Sequence, residues 1–504
     1  MPSLSQSPST VSVEEAIQTL VAQATPSPTG LSPLPTAIQE SYPTLPPAPA
    51  LTTATSAGSP VLPTRTAEPG NSEMVFVYTT QPGDTLNAVA GRFGVDPDQI
   101  TSSQGIPTQS LLPIGMPLTI PNVLGDLPYY SPLLPDCELI YSPAAVDFHV
   151  AGYAGGAGGY LIEYGEMVDD VWLSGVDIVQ RVAEENSVNP RLLLALLEYR
   201  SGWVFGQPAN TEQVYHPLGL YIPGYRGLYD ELLIASTQLN LAYYGWREGT
   251  LTEIKFRESG KARLSPGLNA GTIAIQHLFA KLYKVDAWDA ALYGPNSFPL
   301  RYQQMFGDPW ARADAAGPLF PDGLSQPILE LPFSPGESWS YTGGPHYSWN
   351  TTTPRGAIDL APVTGEAACV VSRAWVTASA PGVVTRSGQN VLALDLDGDG
   401  YEQTGWVLVY MHIAVEGAVP AGTWVDLDAP LGHPSCERGR STGTHVHIAR
   451  KYNGEWIAAD GALPFVMGGW QVKAEERLYQ GLLVKGDQVI VANPGGPRTS
   501  IVTR

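Results

Sequence analysis

The spacing of apolar and polar residues predicts helices in the middle of the chain. Between residues 145 and 312, apolar side chains recur at helical intervals, most clearly over residues 178–185 and 190–199. Such a pattern is typical of helices with one buried face. Asn189 followed by Pro190 favours a helix start, because Asn caps the first turn and proline fits the first helical position. We therefore predict a mostly α-helical unit over residues 145–312.

Two further patterns flank this helical unit. From residue 326 to residue 504, short apolar and β-branched runs alternate with Gly and Pro turns, which predicts a β-rich unit. Residues 76–122 contain a strand, a Pro-Gly-Asp turn, two short helical segments and a closing strand, in the order βααβ. Residues 123–144 are interpreted as a linker. The predicted fold is thus multidomain: a small βααβ module, a mostly α domain and a β-rich domain.

The first 73 residues differ from the rest of the chain in composition. They are rich in Pro, Ser, Thr and Ala, and such sequence cannot bury enough apolar surface to offset the entropy lost on ordering. We expect residues 1–73 to form an extended, disordered stalk. The start of the sequence lacks the basic and apolar regions of a signal peptide, so we expect a signal or anchor to be missing from the given chain.

Composition excludes some partners. With 27 Lys and Arg against 48 Asp and Glu, the formal net charge is -21, which argues against nucleic acid because phosphate binding depends on clustered basic residues. No segment approaches the roughly 18 apolar residues that a membrane-spanning helix needs. Cys369 and Cys436 both fall in the β-rich unit, as a disulfide or as two buried thiols, and Cys137 is left over.

Five polar residues of the β-rich unit are candidates for chemistry. His445 and His447 are two positions apart, so in a strand both imidazoles project from the same face. Asp359 stands in the apolar run AIDLA, where a carboxylate is costly to bury without a partner such as a metal ion. His346 lies in a turn before it, and His412 follows an apolar strand. Each residue alone is also explained by a structural role, but Zn2+ accepts both His and Asp ligands.

The order and context of these residues resemble the lysostaphin-type (LytM) zinc metallopeptidases. The resemblance covers residues 335–465 and includes the strand APGVV at 380–384. The thirteen-residue spacing from His346 to Asp359 is closer to the beta-lytic branch than to the branch with a compact HxxxD motif. At the compact position this chain has Arg355, which cannot bind a metal, so the ligand role falls to His346.

This resemblance implies a mechanism. His346, Asp359 and His447 would hold Zn2+, with water in the fourth position. Of His412 and His445, one would act as general base and the other would stabilise the developing oxyanion. The implied reaction is hydrolysis of a peptide bond.

Residues 76–122 resemble a LysM module through PGDTL at 82–86, FGV at 93–95 and GMPLTIP at 115–121. The resemblance implies binding of N-acetylglucosamine polymers such as peptidoglycan, through Gly83, Asp84 and Thr85. The usual Asn after the second helix is replaced by Ser-Ser-Gln. The alternative is a LysM-shaped spacer that binds nothing.

The stretch SVNPRLLLALLEYRSGW resembles a helix of lytic transglycosylases of the lysozyme superfamily, with Arg200 where the catalytic Glu belongs. Arginine stays protonated and cannot shuttle protons. Glu198 lies about 200° away around the helix. We therefore expect a lysozyme-like domain that has lost cleavage, or equally a helical scaffold.

A second acidic motif lies in LDLDGDGYE, where Asp395, Asp397 and Asp399 are typical of a calcium loop. Trp406 stands where such a loop needs Glu, and an acidic hairpin turn explains the segment as well.

Taken together, the sequence predicts a secreted zinc endopeptidase that cleaves peptide bonds of bacterial peptidoglycan, extracellular or associated with the cell wall. One alternative is a non-catalytic peptidoglycan-binding or regulatory protein with degenerate hydrolase domains. A weaker alternative is a muralytic glycosidase that uses Glu198 or another carboxylate.

Overall fold

The computed structural model describes residues 64–67 and 74–504, except residues 126, 128–129, 259, 438–440 and 497. The predicted stalk lies outside the described residues apart from one strand, β1 (Thr64–Ala67). Among the described residues, none of the helices combines the length and apolarity that crossing a bilayer requires.

The N-terminal module has the predicted strand and helix order, with a shorter second helix. β2 (Met74–Thr79), α1 (Leu86–Phe93), a single 3-10 turn (Pro97–Gln99) and β3 (Pro117–Pro121) follow one another. β2 pairs antiparallel with β1 on one side and with β3 on the other. The second helical segment stops after one turn because Ile100 is already extended and buried in the core of the module.

The middle of the chain is helical, as the apolar spacing predicts, with two short hairpins. Its helices are α2 (Val150–Ala157), α3 (Gly175–Asn186), α4 (Pro190–Ser201), α5 (Thr211–Tyr215), α6 (Leu228–Arg247), α7 (Ala270–Leu282), α8 (Val285–Tyr293), α9 (Phe298–Phe306) and α10 (Pro309–Ala316). The hairpins pair β4 (Gly165–Val168) with β5 (Val171–Ser174), and β6 (Glu253–Lys255) with β7 (Lys261–Arg263). Leu133, Leu134, Leu139 and Ile140, inside the segment interpreted as a linker, are buried in this helical core.

The C-terminal unit is built from antiparallel strands. They are β8 (Ser338–His346), β9 (Ala357–Pro362), β10 (Val376–Thr377), β11 (Gly382–Gly388), β12 (Val391–Asp395), β13 (Trp406–Met411), β14 (Trp424–Val425), β15 (Pro430–Gly432), β16 (Val446–Tyr452), β17 (Glu455–Trp456), β18 (Val466–Met467), β19 (Trp470–Ala474), β20 (Gly481–Lys485), β21 (Gln488–Val491) and β22 (Ile501–Thr503). The main sheet has the order β14-β11-β12-β13-β16-β9-β8-β22, and β17 pairs with β16. β18 to β21 form a second sheet, and β10 pairs with β15.

The central strands of the main sheet are apolar on both faces, because alternate residues along them enter two different cores. On β13, Val407 and Val409 pack into the core of the helical unit, whereas Leu408 and Tyr410 pack into the core of the β-rich unit. The helical unit therefore covers part of one face of the main sheet.

Arg247, at the C-terminal end of α6, contacts all three units. Its guanidinium lies 3.1 Å from carboxylate oxygens of Asp136 and Glu455, and it donates to the carbonyl of Pro82 in the N-terminal module. A Cβ at Gly83 would lie 2.6 Å from Nη1 of Arg247. Glycine at position 83 thus permits the close approach of the two units.

Candidate metal centre

Strand register brings three of the predicted site residues together. His447 on β16 stands directly opposite Asp359 on β9, and β8, the other neighbour of β9, ends at His346. Nε2 of His346 lies 3.2 Å from Oδ1 of Asp359 and 2.9 Å from Nδ1 of His447. Nδ1 of His447 lies 3.5 Å from the same Asp359 oxygen. Three ligand atoms from three adjacent strands thus meet at one point.

Two backbone carbonyls orient the imidazole rings of this cluster. Nδ1 of His346 donates to the carbonyl of Gly344 (2.8 Å), and Nε2 of His447 donates to the carbonyl of Ser348 (3.0 Å). With those nitrogens protonated, each neutral ring turns an unprotonated nitrogen towards Asp359.

The cluster has the electrostatics of a cation site. His346, Asp359 and His447 are each at least 92% buried, and Oδ1 of Asp359 has no hydrogen-bond partner among the described residues. Three converging acceptors without a donor are costly to bury unless a positive charge lies between them. Two imidazole nitrogens and one carboxylate oxygen, with a fourth position open, form a donor set that suits Zn2+.

The pKa values of the three clustered side chains are shifted by burial and by their neighbours in the cluster. Burial alone would raise the pKa of Asp359, but His346 and His445 outweigh it and hold the pKa well below its ordinary value. Burial would lower the pKa of His346, and Asp359 reverses that effect and raises it. Burial lowers the pKa of His447. Asp359 is therefore ionised at neutral pH.

Gly343 makes room for the carboxylate of Asp359. An added Cβ at this position would lie 2.3 Å from Oδ2 of Asp359 and 2.9 Å from its Cγ. Any larger residue at position 343 would displace the carboxylate from the centre.

His412 and His445 form a second imidazole pair beside the cluster. Their ring centroids are 4.5 Å apart, and Nε2 of His445 lies 3.7 Å from Oδ1 of Asp359. Nδ1 of His412 donates to the carbonyl of Glu437 (3.0 Å), and Nδ1 of His445 donates to the carbonyl of Gly443 (2.7 Å). Burial, then His445 and His447, lower the pKa of His412 to about 4. In both rings, Nε2 is the nitrogen left to exchange a proton.

A disulfide joins Cys369 to Cys436, and Cys137 is buried elsewhere. Beside the disulfide, Oγ1 of Thr444 donates to the carbonyl of Val370 (2.7 Å). The disulfide therefore ties the segment before β10 to the segment that leads into β16.

Sequence reasoning did not find Tyr479, whose ring stacks on His346 with centroids 4.2 Å apart. This side chain is 51% exposed and forms part of the rim of the centre. The Gly344 and Ser348 carbonyls were also missed. Neither backbone groups nor a single tyrosine far along the chain carry a sequence signal.

The other candidate residues lie elsewhere. Asp84 is buried and accepts from Tyr78 and Arg92, and Thr85 caps α1 through its hydroxyl. Arg200 donates from Nε to the carbonyl of Leu218 (2.8 Å). These contacts give the residues roles within the fold.

The acidic motif forms a turn stabilised by its own backbone. One carboxylate oxygen each of Asp395, Asp397 and Asp399 lies within 4.8 Å of the others. Asp395 accepts from the backbone nitrogens of Asp397 (3.1 Å) and Gly400 (2.8 Å). Burial, then Asp397, raise the pKa of Asp395 to about 7. An acidic hairpin turn accounts for these contacts.

Comparisons with known proteins identify two regions. Residues 78–121 match the LysM domain model, and residues 132–318 match the model described as "LasA, N-terminal domain". The second match assigns the helical unit to a different domain from the one expected, and the transglycosylase resemblance is not supported.

Two peptidases are similar to this chain in sequence. It is 28% identical over 300 residues to Protease LasA of Pseudomonas aeruginosa, across 55% of this chain and 66% of that protein. It is 26% identical over 167 residues to Beta-lytic metalloendopeptidase of Achromobacter lyticus, across 32% of this chain and 40% of that protein. The match to LasA thus spans just under two thirds of that protein.

Solved structures give weaker likenesses. The M23 metalloprotease pseudoalterin aligns with a TM-score of 0.28 and 22% identity, across 33% of this chain and 96% of its own. The lysostaphin catalytic domain of Staphylococcus simulans aligns with a TM-score of 0.17 and 20% identity, across 24% and 88%. The chain carries a LysM domain and a LasA N-terminal domain, and it is homologous to the peptidases LasA and Beta-lytic metalloendopeptidase.

Proposed function

We propose that this protein is a secreted, zinc-dependent endopeptidase that hydrolyses peptide bonds in bacterial peptidoglycan. The observation that carries the proposal is the convergence of His346, Asp359 and His447, together with a buried Asp359 Oδ1 that has no hydrogen-bond partner in the part of the chain that the structure describes. Homology to two curated peptidases supports a peptidase. The LysM domain supports an extracellular or cell-wall location and targeting to glycan.

The residues of the centre would divide the work of the reaction. His346, Asp359 and His447 would hold Zn2+, which supplies a Lewis acid that polarises the scissile carbonyl and acidifies water. The carbonyls of Gly344 and Ser348 keep the two ligand rings in one tautomer.

His412 and His445 would move the proton. Because Nδ1 of each ring donates to a carbonyl, Nε2 is the atom that accepts a proton. One ring takes the proton from the attacking water, as a general base. The other, once protonated at Nε2, donates a hydrogen bond to the oxyanion that develops on the scissile carbonyl.

Metal content and product chemistry test this proposal together. We expect wild-type protein to bind one zinc ion per chain and to release new amino groups from peptidoglycan. His447→Ala should lose both. His433→Ala is the matched control, because this ring contacts the Ala374 carbonyl and Trp375, outside the cluster, and it should keep both. Equal zinc content and activity in wild type and His447→Ala would refute the assignment.

The same assay separates the alternatives. New reducing ends without new amino groups would indicate glycan cleavage. Binding to peptidoglycan with neither product would indicate a non-catalytic binding protein, for which the LysM domain alone would account.

A further inference from the structure

The loop of residues 348–354 connects the candidate metal centre to the helical unit. At the start of this loop, the carbonyl of Ser348 accepts the hydrogen bond from Nε2 of His447 (3.0 Å). Ser348 is fully buried, and both its backbone nitrogen and its hydroxyl donate to the carbonyl of Pro354 (3.1 Å each). The carbonyl that orients His447 can therefore shift only if the whole loop shifts.

Asn350 organises this loop from within. Its Oδ1 accepts from the backbone nitrogen (3.0 Å) and the hydroxyl (2.6 Å) of Thr352. Its carbonyl accepts from the hydroxyl of Thr353 (2.9 Å), which in turn accepts from the backbone nitrogen of Trp349 (3.0 Å). The oxygens of Asn350 are thus used inside the loop, and the amide Nδ2 is directed out of it.

That Nδ2 donates across the boundary between the two units to Oδ1 of Asn186 (3.2 Å), the last residue of α3. Asn186 is fully buried and fixed on both sides. Its Nδ2 donates to the carbonyl of Val182 (3.0 Å), and its own carbonyl accepts from Nδ2 of Asn240 on α6 (2.9 Å). Two helices therefore hold this acceptor in place against the loop, within a buried polar network.

We propose that the helical unit takes part in metal binding: Asn186, acting through Asn350 and the Ser348 carbonyl, positions the His447 imidazole for the ion. Asn186 and Asn350 are positioning residues that touch neither ion nor substrate. Groups behind a ligand histidine fix its ring orientation, and losing one typically weakens metal affinity by about 10- to 100-fold. This inference rests on the metal site of the proposed function.

The test removes the acceptor in Asn186→Ala and compares it with Ser187→Ala. Ser187 is the next residue along the chain, and its hydroxyl also crosses the boundary, to the carbonyl of Gly454. That contact does not lead into the 348–354 loop, so Ser187→Ala controls for a general loosening of the interface.

Affinity for Zn2+ is measured on the metal-free full chain by competition with a chromogenic chelator, and the Co2+ form is examined by absorption spectroscopy. We expect Asn186→Ala to bind Zn2+ about 10-fold or more weakly than wild type, with an altered Co2+ spectrum. Ser187→Ala should match wild type in both measurements.

A second variant covers failure of Asn186→Ala to fold. Asn350→Asp keeps the oxygen that accepts from Thr352 and replaces only the donor that reaches Asn186, so the same weakening is expected. The inference is overturned if a folded Asn186→Ala or Asn350→Asp variant binds Zn2+ with wild-type affinity. It is also overturned if Ser187→Ala loses as much Zn2+ affinity as Asn186→Ala. Either result leaves the proposed function standing. Absence of Zn2+ binding in the wild type refutes the proposed function itself.

Discussion

Gly343→Ala should disable the metal centre while leaving the fold intact. The new Cβ would lie 2.3 Å from Oδ2 of Asp359, whereas ordinary van der Waals contact begins near 3.4 Å, so the oxygen must retreat by 3.4 minus 2.3, or 1.1 Å. Metal–ligand distances tolerate only about 0.2 Å. A misplacement of about 1 Å at a reacting centre costs about 100-fold in rate, or about 2.7 kcal/mol. We therefore expect kcat/KM to fall about 100-fold.

The measurement is kcat/KM for release of amino groups from peptidoglycan, together with Zn2+ affinity and the melting temperature of the metal-free protein. Gly105→Ala serves as the control, because no atom of the described residues lies within 4 Å of a Cβ placed at Gly105. A Gly343→Ala protein that retains wild-type zinc affinity and activity would show that the position of Asp359 does not limit the centre. A collapse of the metal-free melting temperature would trace any loss to folding instead.

Further predictions concern charge, metal and the disulfide. Glu402 is buried between Arg386 (2.6 and 3.0 Å) and Lys451 (3.4 Å), so Glu402→Gln should lower the free energy of unfolding by about 3 kcal/mol at pH 7 in chemical denaturation. Burial opposes the effect of these two basic partners, but they hold the pKa of Glu402 at about 2. The stabilisation from ionised Glu402 is therefore complete above the unfolded pKa of about 4.3 and is lost as pH falls through about 2. The difference in unfolding free energy between wild type and Glu402→Gln should shrink over that pH range. The pKa of His412 in the folded protein is about 4, so as pH falls below about 6.5 the unfolded chain binds a proton before the folded one does. Between pH 6.5 and 4, the free energy of unfolding of the metal-free wild type should therefore fall by about 3 kcal/mol more than that of His412→Asn. An equal pH dependence of the two proteins would contradict this. Chelation should lower the melting temperature of wild type but not of His447→Ala. Reduction of Cys369–Cys436, which are separated by 67 residues, should lower stability by about 4 kcal/mol, and a Cys369→Ser variant that melts like wild type would contradict that figure.

The candidate site could be predicted largely because strands have a simple period. Residues two apart share a face, so His445 and His447 could be grouped from the sequence, and Asp359 was notable as a carboxylate within an apolar run. The structure brings these residues to one point. The sequence predicts a turn at His346, and this prediction is wrong, because the residue ends strand β8. Its role as a ligand was indicated only by the family resemblance.

Other features could not be predicted because they depend on distant packing. Tyr479 reaches the centre from a hairpin more than 100 residues after His346 in the sequence, and nothing in its neighbourhood indicates a site. The Ser348 carbonyl acts through the backbone, which any residue would provide. In the helical unit, apolar spacing predicted helices correctly, but spacing reports one buried face and not which domain family uses it.

The helical unit and the β-rich unit share a core along one face of the main sheet, and this limits how far the two units can separate. Val391, Ala393, Val407, Val409 and Ala449 lie on that face and are at most 2% exposed. Separating the two units would bring this apolar surface into contact with water, at about 25 cal/mol for each Å² uncovered. A hinge motion that separates the two units is therefore disfavoured.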